Sequence, residues 1–346
     1  MTKYCQSRVI KEKFVPSLLS GIPLFLFRKL TKTDLIIPYY HAVSDKEILH
    51  IKHLYQFKNV KQFKDDLNFL LKNFKPVSLF DVICFVRNDN PLPEKAFLLT
   101  FDDGFREIHD IVAPILLEKG VSATFFINSG FIDNRSLCYQ HKASLLVEYL
   151  QESTSLNMGK KINEILTKKS INNGDIASCI LSIKYKQKDI INEIAQSINI
   201  DFNDYLLKKE PYLTSHQIQI LIKQGFAIGA HSIDHPLYSL LTLEEQVYQT
   251  IESVNYIREK YCLNYGAFAF PHSDNGVTKE FFTQIHGSGL VDISFGTGGM
   301  IKDAIPNHFQ RFSLEKPAIS AKKIIAYQYA RKLVRRVRGN GEIDRA

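Results

Sequence analysis

Ala96-Phe-Leu-Leu-Thr-Phe-Asp-Asp-Gly104 is six residues of β-prone, almost wholly apolar chain followed by two carboxylates and a glycine. A short run that is apolar on both faces fits a strand of a parallel sheet, where helices cover each side. Two adjacent carboxylates at the end of such a strand are costly unless a cation or a water network receives them. Successive side chains on a strand point to opposite faces, but a glycine lets the chain turn sharply, so that both acids can approach one site. The competing reading is an Asp-Asp-Gly surface turn.

Similar runs recur on both sides of this one: Leu35–His41, Ser122–Ser129, Ala227–Ser232, Ala267–His272, Ile293–Thr297 and Phe309–Leu314. Segments of helical period lie between several of them. Val60, Phe63, Leu67, Leu70, Leu71 and Phe74 share one helix face, and Thr242-Leu-Glu-Glu245 has the pattern of a capping box. Glu107–Lys119 reads as a helix kinked at Pro114, and Thr214–Gln224 as one stopped by Gly225. Strands alternating with helices predict an α/β fold with a parallel sheet, either a barrel or an open doubly wound sheet. In both architectures the chemistry sits at the carboxyl ends of the strands. Residues 131–212 break the alternation and read as a largely helical insertion, either a cover over the active face or a packing elaboration.

Two further strand ends carry reactive side chains. His231-Ser-Ile-Asp-His235 follows Ala227-Ile-Gly-Ala230, and imidazoles at i and i+4 can meet one metal ion. With one carboxylate they make a two-His, one-Asp set that leaves coordination positions open. Solvated loop histidines are the alternative. Ala267-Phe-Ala-Phe-Pro271-His272 is the third, equally readable as a strand end and turn.

Taken together, Thr100-Phe-Asp-Asp-Gly104, His231-Ser-x-x-His235 and Phe268-Ala-Phe-Pro271 resemble the first three motifs of the metal-dependent polysaccharide deacetylases. Pro38-Tyr-Tyr-His41 and Val77-Ser-Leu79 resemble the entry of members acting on exopolysaccharide, and Gln310-Arg-Phe-Ser-Leu314 their final strand. The resemblance spans residues 35–130 and 213–315 and implies a distorted seven-stranded (β/α) barrel that hydrolyses an N-acetyl group on a sugar. It further implies that Asp103, His231 and His235 hold a divalent metal, usually Zn2+, with Asp102 as general base. The backbone N–H of His272, after Pro271, would stabilise the oxyanion, with Phe270 and Pro271 at the substrate. Two family residues are missing. Ala269 stands where an arginine orients the base, and no Leu-x-His supplies an acid near the end. His41, His272 and His308 are the candidates for that acid, with His41 favoured. His50 and His53 lie in the following loop, where histidines are usually solvated.

Composition bounds the rest. The 346 residues are 45% hydrophobic and 23% charged, which excludes wholesale disorder and a collagen-like repeat. The five cysteines form no C-x-x-C pair, which argues against a disulfide scaffold or a thiolate zinc site and leans towards a reducing compartment. The net charge of +8 is heaviest at the two ends, residues 1–34 and 316–346. The apolar stretch Phe14–Phe27 contains Pro16, Gly21 and Pro23 and is too short to span a bilayer. No small-residue cleavage site follows it, so the expectation is a cytoplasmic enzyme. The basic ends read either as solvated helix faces or as peripheral contacts with the membrane's inner face. No nucleic-acid motif accompanies them. The expected substrate is a glycan, an oligosaccharide or a lipid-linked precursor. Removal of an O-acetyl or formyl group, or a catalytically inactive carbohydrate-binding homologue, are the alternatives. The sequence names neither the sugar nor the oligomeric state.

Overall fold

The computed structural model describes residues 24–88, 90–152 and 156–345. Of the basic, apolar N-terminal segment expected at residues 1–34, residues 1–23 therefore lie outside the described residues.

Eight parallel strands form the main sheet: β1 (Pro38–Tyr40), β2 (Leu99–Phe101), β3 (Ala123–Ile127), β4 (Ala227–Ala230), β5 (Ala267–Ala269), β6 (Ile293–Gly296), β7 (His308–Gln310) and β8 (Phe312–Ser313). Their order around the sheet is β7-β6-β5-β4-β3-β2-β1-β8. Registers such as Tyr39↔Thr100, Thr100↔Thr124 and Phe125↔Ile228 bring the strand ends level, so the polar residues that follow each run gather at one rim. Strands β7 and β8 occupy opposite edges of this order, yet only Arg311 separates them. One chain run, 308–313, thus pairs with β6 through its first half and with β1 through its second. Seven chain runs nearly close an eight-strand barrel, which reconciles the expected strand count with the observed one.

Helices cover the outside. Helix α1 (Leu24–Thr31) leads into the barrel, and α2 (Val60–Asn73) begins in a capping box made by Asn59 and Gln62. Phe63, Leu67 and Leu70 of α2 are buried, each stabilising the fold by roughly 1.5–3 kcal/mol. Residues 108–118 differ from the expected kinked helix: a π-turn, Ile108–Val112, precedes a helix, Ala113–Glu118. Pro114 then sits in a first turn, where its missing N–H has no partner to lose.

Between β3 and β4 the chain forms α3 (Tyr139–Glu152), α4 (Leu156–Lys168), α5 (Ile176–Leu181), α6 (Asp189–Ser197) and α7 (Phe202–Lys209). Their apolar faces meet in a core of their own that includes Leu146, Ile162, Ile180, Ile191 and Leu206. Ala42, Ile48, Ile51 and Phe105, from loops at the rim, complete this core and seat the helices over that rim. Helix α8 (Leu243–Tyr261) opens with the Thr242–Glu245 capping box, and α9 (Ala321–Val337) packs on α1 with Tyr329 stacked on Phe27, ring centroids 6.2 Å apart.

Candidate metal centre and active site

At the end of β2, Asp103 and Gly104 both adopt left-handed backbone, with φ of 71° and 70°. The turn swings Asp103 back to the rim instead of leaving it across the strand from Asp102. Asp tolerates this conformation better than most residues. Gly104 has no substitute: a Cβ there would meet Ile127 Cγ2 at 2.8 Å. His235 and His272 also have positive φ, 64° and 55°. Such backbone costs of order 1–3 kcal/mol per residue and persists where the surroundings enforce it.

The turn brings Asp103 Oδ1 within 3.1 Å of His235 Nε2 and 3.5 Å of His231 Nε2. His231 Nδ1 donates to the Ala269 carbonyl at 2.8 Å, so its proton is on Nδ1 and Nε2 presents a lone pair. Burial lowers the pKa of His231 to about 4, which keeps the ring neutral. The Gln140 side-chain oxygen lies 3.3 Å from His235 Nδ1 and favours the same tautomer there. Asp103 Oδ1 is buried without a hydrogen-bond partner among the described residues, while the Tyr55 hydroxyl donates to Oδ2 at 3.3 Å. Lone pairs converging on an orphaned carboxylate oxygen call for a positive charge. Burial would lower the His235 pKa, but the Asp103 carboxylate pushes it up to about 10, so a proton fills the role when nothing else does. Three ligand atoms within 4.8 Å of one another, two nitrogens and one oxygen, suit a divalent cation and leave positions open for water and substrate.

Asp102 is held apart from this centre. Arg311, from the break between β7 and β8, grips it with two parallel bonds, Nη1–Oδ1 at 2.7 Å and Nη2–Oδ2 at 2.8 Å. Burial disfavours the charged carboxyl, but Arg311 and then His231 outweigh it and hold Asp102 below the usual carboxylate range. Arg311 is fully buried against the faces of Tyr39 and Phe126. The position vacated at Ala269 is therefore served from another strand. The signal lay in Gln310-Arg-Phe-Ser-Leu314: an arginine inside a strand-like run must find a carboxylate.

His41 ends β1, with its Nδ1 2.5 Å from Glu315 Oε2. Glu315 Oε1 also accepts from the backbone N–H groups of His41 and Ala42 at 2.6 and 2.9 Å. Burial would lower the His41 pKa, but Glu315 overrides it and raises the value to about 9. Glu315 lies two residues past β8, and nothing in the sequence tied it to a histidine 274 positions away.

His41, Asp102, Asp103, His235, Phe270 and His272 line one cavity of about 640 Å³, together with Tyr39, Tyr55, Gln140 and His141. His231 lies just beneath, fully buried. Pro271 is buried next to Phe270 and does not reach the cavity surface. The His272 N–H meets no acceptor among the described residues, and the His272 carbonyl accepts from Thr297 Oγ1 at 3.0 Å. His308 lies elsewhere: its Nδ1 is 2.8 Å from Ser294 Oγ and its Nε2 3.1 Å from Asp274. Asp274, Asp303 and His308 form a second buried cluster, but the Arg345 guanidinium already supplies its cation. His50 and His53 are not solvated, contrary to expectation. His50 is buried against Tyr205, and His53 pairs with Glu148 at 2.7 Å.

No curated protein matches the chain at the sequence level. Among solved structures, the Streptococcus pyogenes deacetylase PplD superposes with a TM-score of 0.55 at 15% identity, covering 85% of this chain and 97% of that one. IcaB from Ammonifex degensii superposes with a TM-score of 0.51 at 14% identity, over 86% and 97% of the two chains. At such identities the likeness establishes the barrel. The polysaccharide deacetylase family profile matches residues 89–286, more than half of the chain and from just before β2 through β5. By that match, on a deacetylase barrel, the chain belongs to the polysaccharide deacetylase family and is a carbohydrate deacetylase.

Proposed function

We propose that this chain removes the acetyl group from an N-acetylated hexosamine by hydrolysis, using one zinc ion held by Asp103, His231 and His235. The observation that carries this reading is the orphaned Asp103 oxygen facing two imidazole nitrogens, with an ionised Asp102 and a proton-bearing His41 in the same cavity. When bound, the ion polarises the acetamide carbonyl and makes water a better nucleophile near neutral pH. Asp102, aimed by Arg311, accepts the proton of the attacking water. The His272 N–H donates to the oxygen that gains charge as the carbonyl carbon becomes tetrahedral. His41, held by Glu315, hands its proton to the departing amine, and acetate and a free amino sugar remain. Purified, zinc-supplemented protein should release acetate from an N-acetylglucosamine tetramer or from a lipid-linked N-acetylhexosamine. Release from O-acetylated or N-formylated sugars alone would transfer the reading to those acyl groups.

The pH dependence follows from His41. Its pKa is raised above the ordinary 6.5, so the proton is in place below about pH 9 and is lost as pH rises through that value. Glu315→Gln removes the main raising charge, and the basic limb of the kcat/KM profile should then move to lower pH. A limb that stays where it was removes His41 from the acid role.

We also propose that the enzyme touches anionic membrane from the inner face. Phe25 and Leu30 of α1 and Val337 of α9 are 61, 63 and 88% exposed, beside Lys29, Arg336 and Arg338. Apolar side chains among cations suit an interfacial helix pair, and no helix among the described residues is long and apolar enough to cross a membrane. The protein should sediment with phosphatidylglycerol vesicles at low salt and come off at about 1 M salt, where the Debye length is about 3 Å. Retention unchanged by Phe25→Glu with Leu30→Glu would refute this face.

A further inference from the structure

We infer that His141, on the first turn of α3, is a substrate-binding residue: a fixed, neutral N–H donor for an oxygen of the sugar. Proton bookkeeping carries the inference. The Tyr212 hydroxyl oxygen accepts the Cys138 N–H at 3.1 Å and lies 2.6 Å from His141 Nδ1. A hydroxyl has one proton to give, and His141 Nδ1 is the one acceptor within its reach among the described residues. Tyr212 therefore donates to Nδ1, and the ring of a neutral His141 carries its own proton on Nε2. Among the described residues no carboxylate bonds the ring, and burial holds its pKa well below 6.5.

The Nε2–H has no partner among the described residues, yet it is not one of the polar atoms sealed from solvent. His141 lines the cavity that contains Asp102 and Asp103, so this donor opens into it. The ring cannot swing away. It stacks on Tyr212 with centroids 5.8 Å apart, and Phe105 and His50 close on it at 5.4 and 5.1 Å. Water can meet this donor in the open cavity, and a sugar that displaces the water keeps the hydrogen bond only by placing an oxygen there. A neutral donor suits a hydroxyl, ring or carbonyl oxygen of a sugar, and the helices between β3 and β4 thereby contribute to recognition as well as to packing.

The inference rests on the deacetylase reading, and its test separates the two. His141→Phe keeps the ring among its aromatic neighbours and deletes the donor. KM for the N-acetylglucosamine tetramer should rise about fivefold to tenfold, with a smaller change in kcat. His141→Gln, whose amide N–H can stand where Nε2–H stood, should recover most of the loss. Nitrogen-15 NMR of histidine-labelled protein should show His141 as the neutral Nε2–H tautomer between pH 6 and 8, with its Nε2 resonance shifting on addition of the tetramer. A cationic or Nδ1-protonated ring, or a His141→Phe chain with unaltered KM, overturns this inference alone. Wild-type protein that releases no acyl group from any sugar overturns the function, and the tautomer and the tetramer-induced shift still decide His141.

Discussion

Arg311→Met should destabilise the protein by about 3–5 kcal/mol and remove most of its activity, because it leaves Asp102 ionised, buried and unpartnered. Asp102 keeps its charge at neutral pH because of Arg311 and contributes stability above the ordinary carboxyl pKa, lost as pH falls through its depressed folded value. Without the guanidinium the carboxyl rises in pKa, and stability should then decline at mildly acidic pH, where the wild type holds. Arg311→Lys retains a charge but offers a single point where the site uses a fork, so it should recover part of the stability and little of the rate. Denaturant midpoints across pH, with slopes compared, read the first effect, and acetate release reads the second. Adding Asp102→Asn to Arg311→Met should return stability without returning activity, since an unpaired charge costs more than a missing pair. If Arg311→Met alone unfolds at the wild-type midpoint, the two-bond grip contributes nothing in solution.

Asp102→Asn alone should lower turnover by about 10²- to 10⁴-fold, the usual span for a positioned proton acceptor. The amide nearly preserves the shape and cannot take a proton. Asn sets an N–H₂ against the Arg311 fork, so the assay belongs well below the variant's unfolding temperature. Metal content separates roles: Asp102→Asn should bind zinc with near wild-type stoichiometry, whereas Asp103→Asn should lose both zinc and activity. Full turnover by Asp102→Asn assigns the base elsewhere. Loss of zinc from it moves Asp102 into the metal's own ligand set.

The parts of this site that could be read from the chain are those that end strands. A parallel sheet forces the carboxyl ends together, so the strand pattern alone makes Asp102-Asp103, His231–His235 and Phe270–His272 spatial neighbours. Proximity across the barrel was not legible in the same way. Glu315 meets His41 because β8 closes beside β1, and a pairing between the first and last strands leaves no local pattern. Gln140 and His141 come from a segment whose period announces only helix, and which of its faces reaches the cavity depends on how Ile48, Ile51 and Phe105 seat it. The solvated reading of His50 failed for a related reason: its loop is local, but the helices that bury it are not.

Strand 308–313 is both the last stave of the barrel and the carrier of the side chain that aims Asp102. A growing polypeptide that has reached only residue 300 already carries both aspartates and both histidines of the motifs, yet lacks Arg311 and Glu315. On the roles proposed for Asp102 and His41, a chain stopped there should carry the motifs without turnover, because the groups that hold both side chains come with the closing seam.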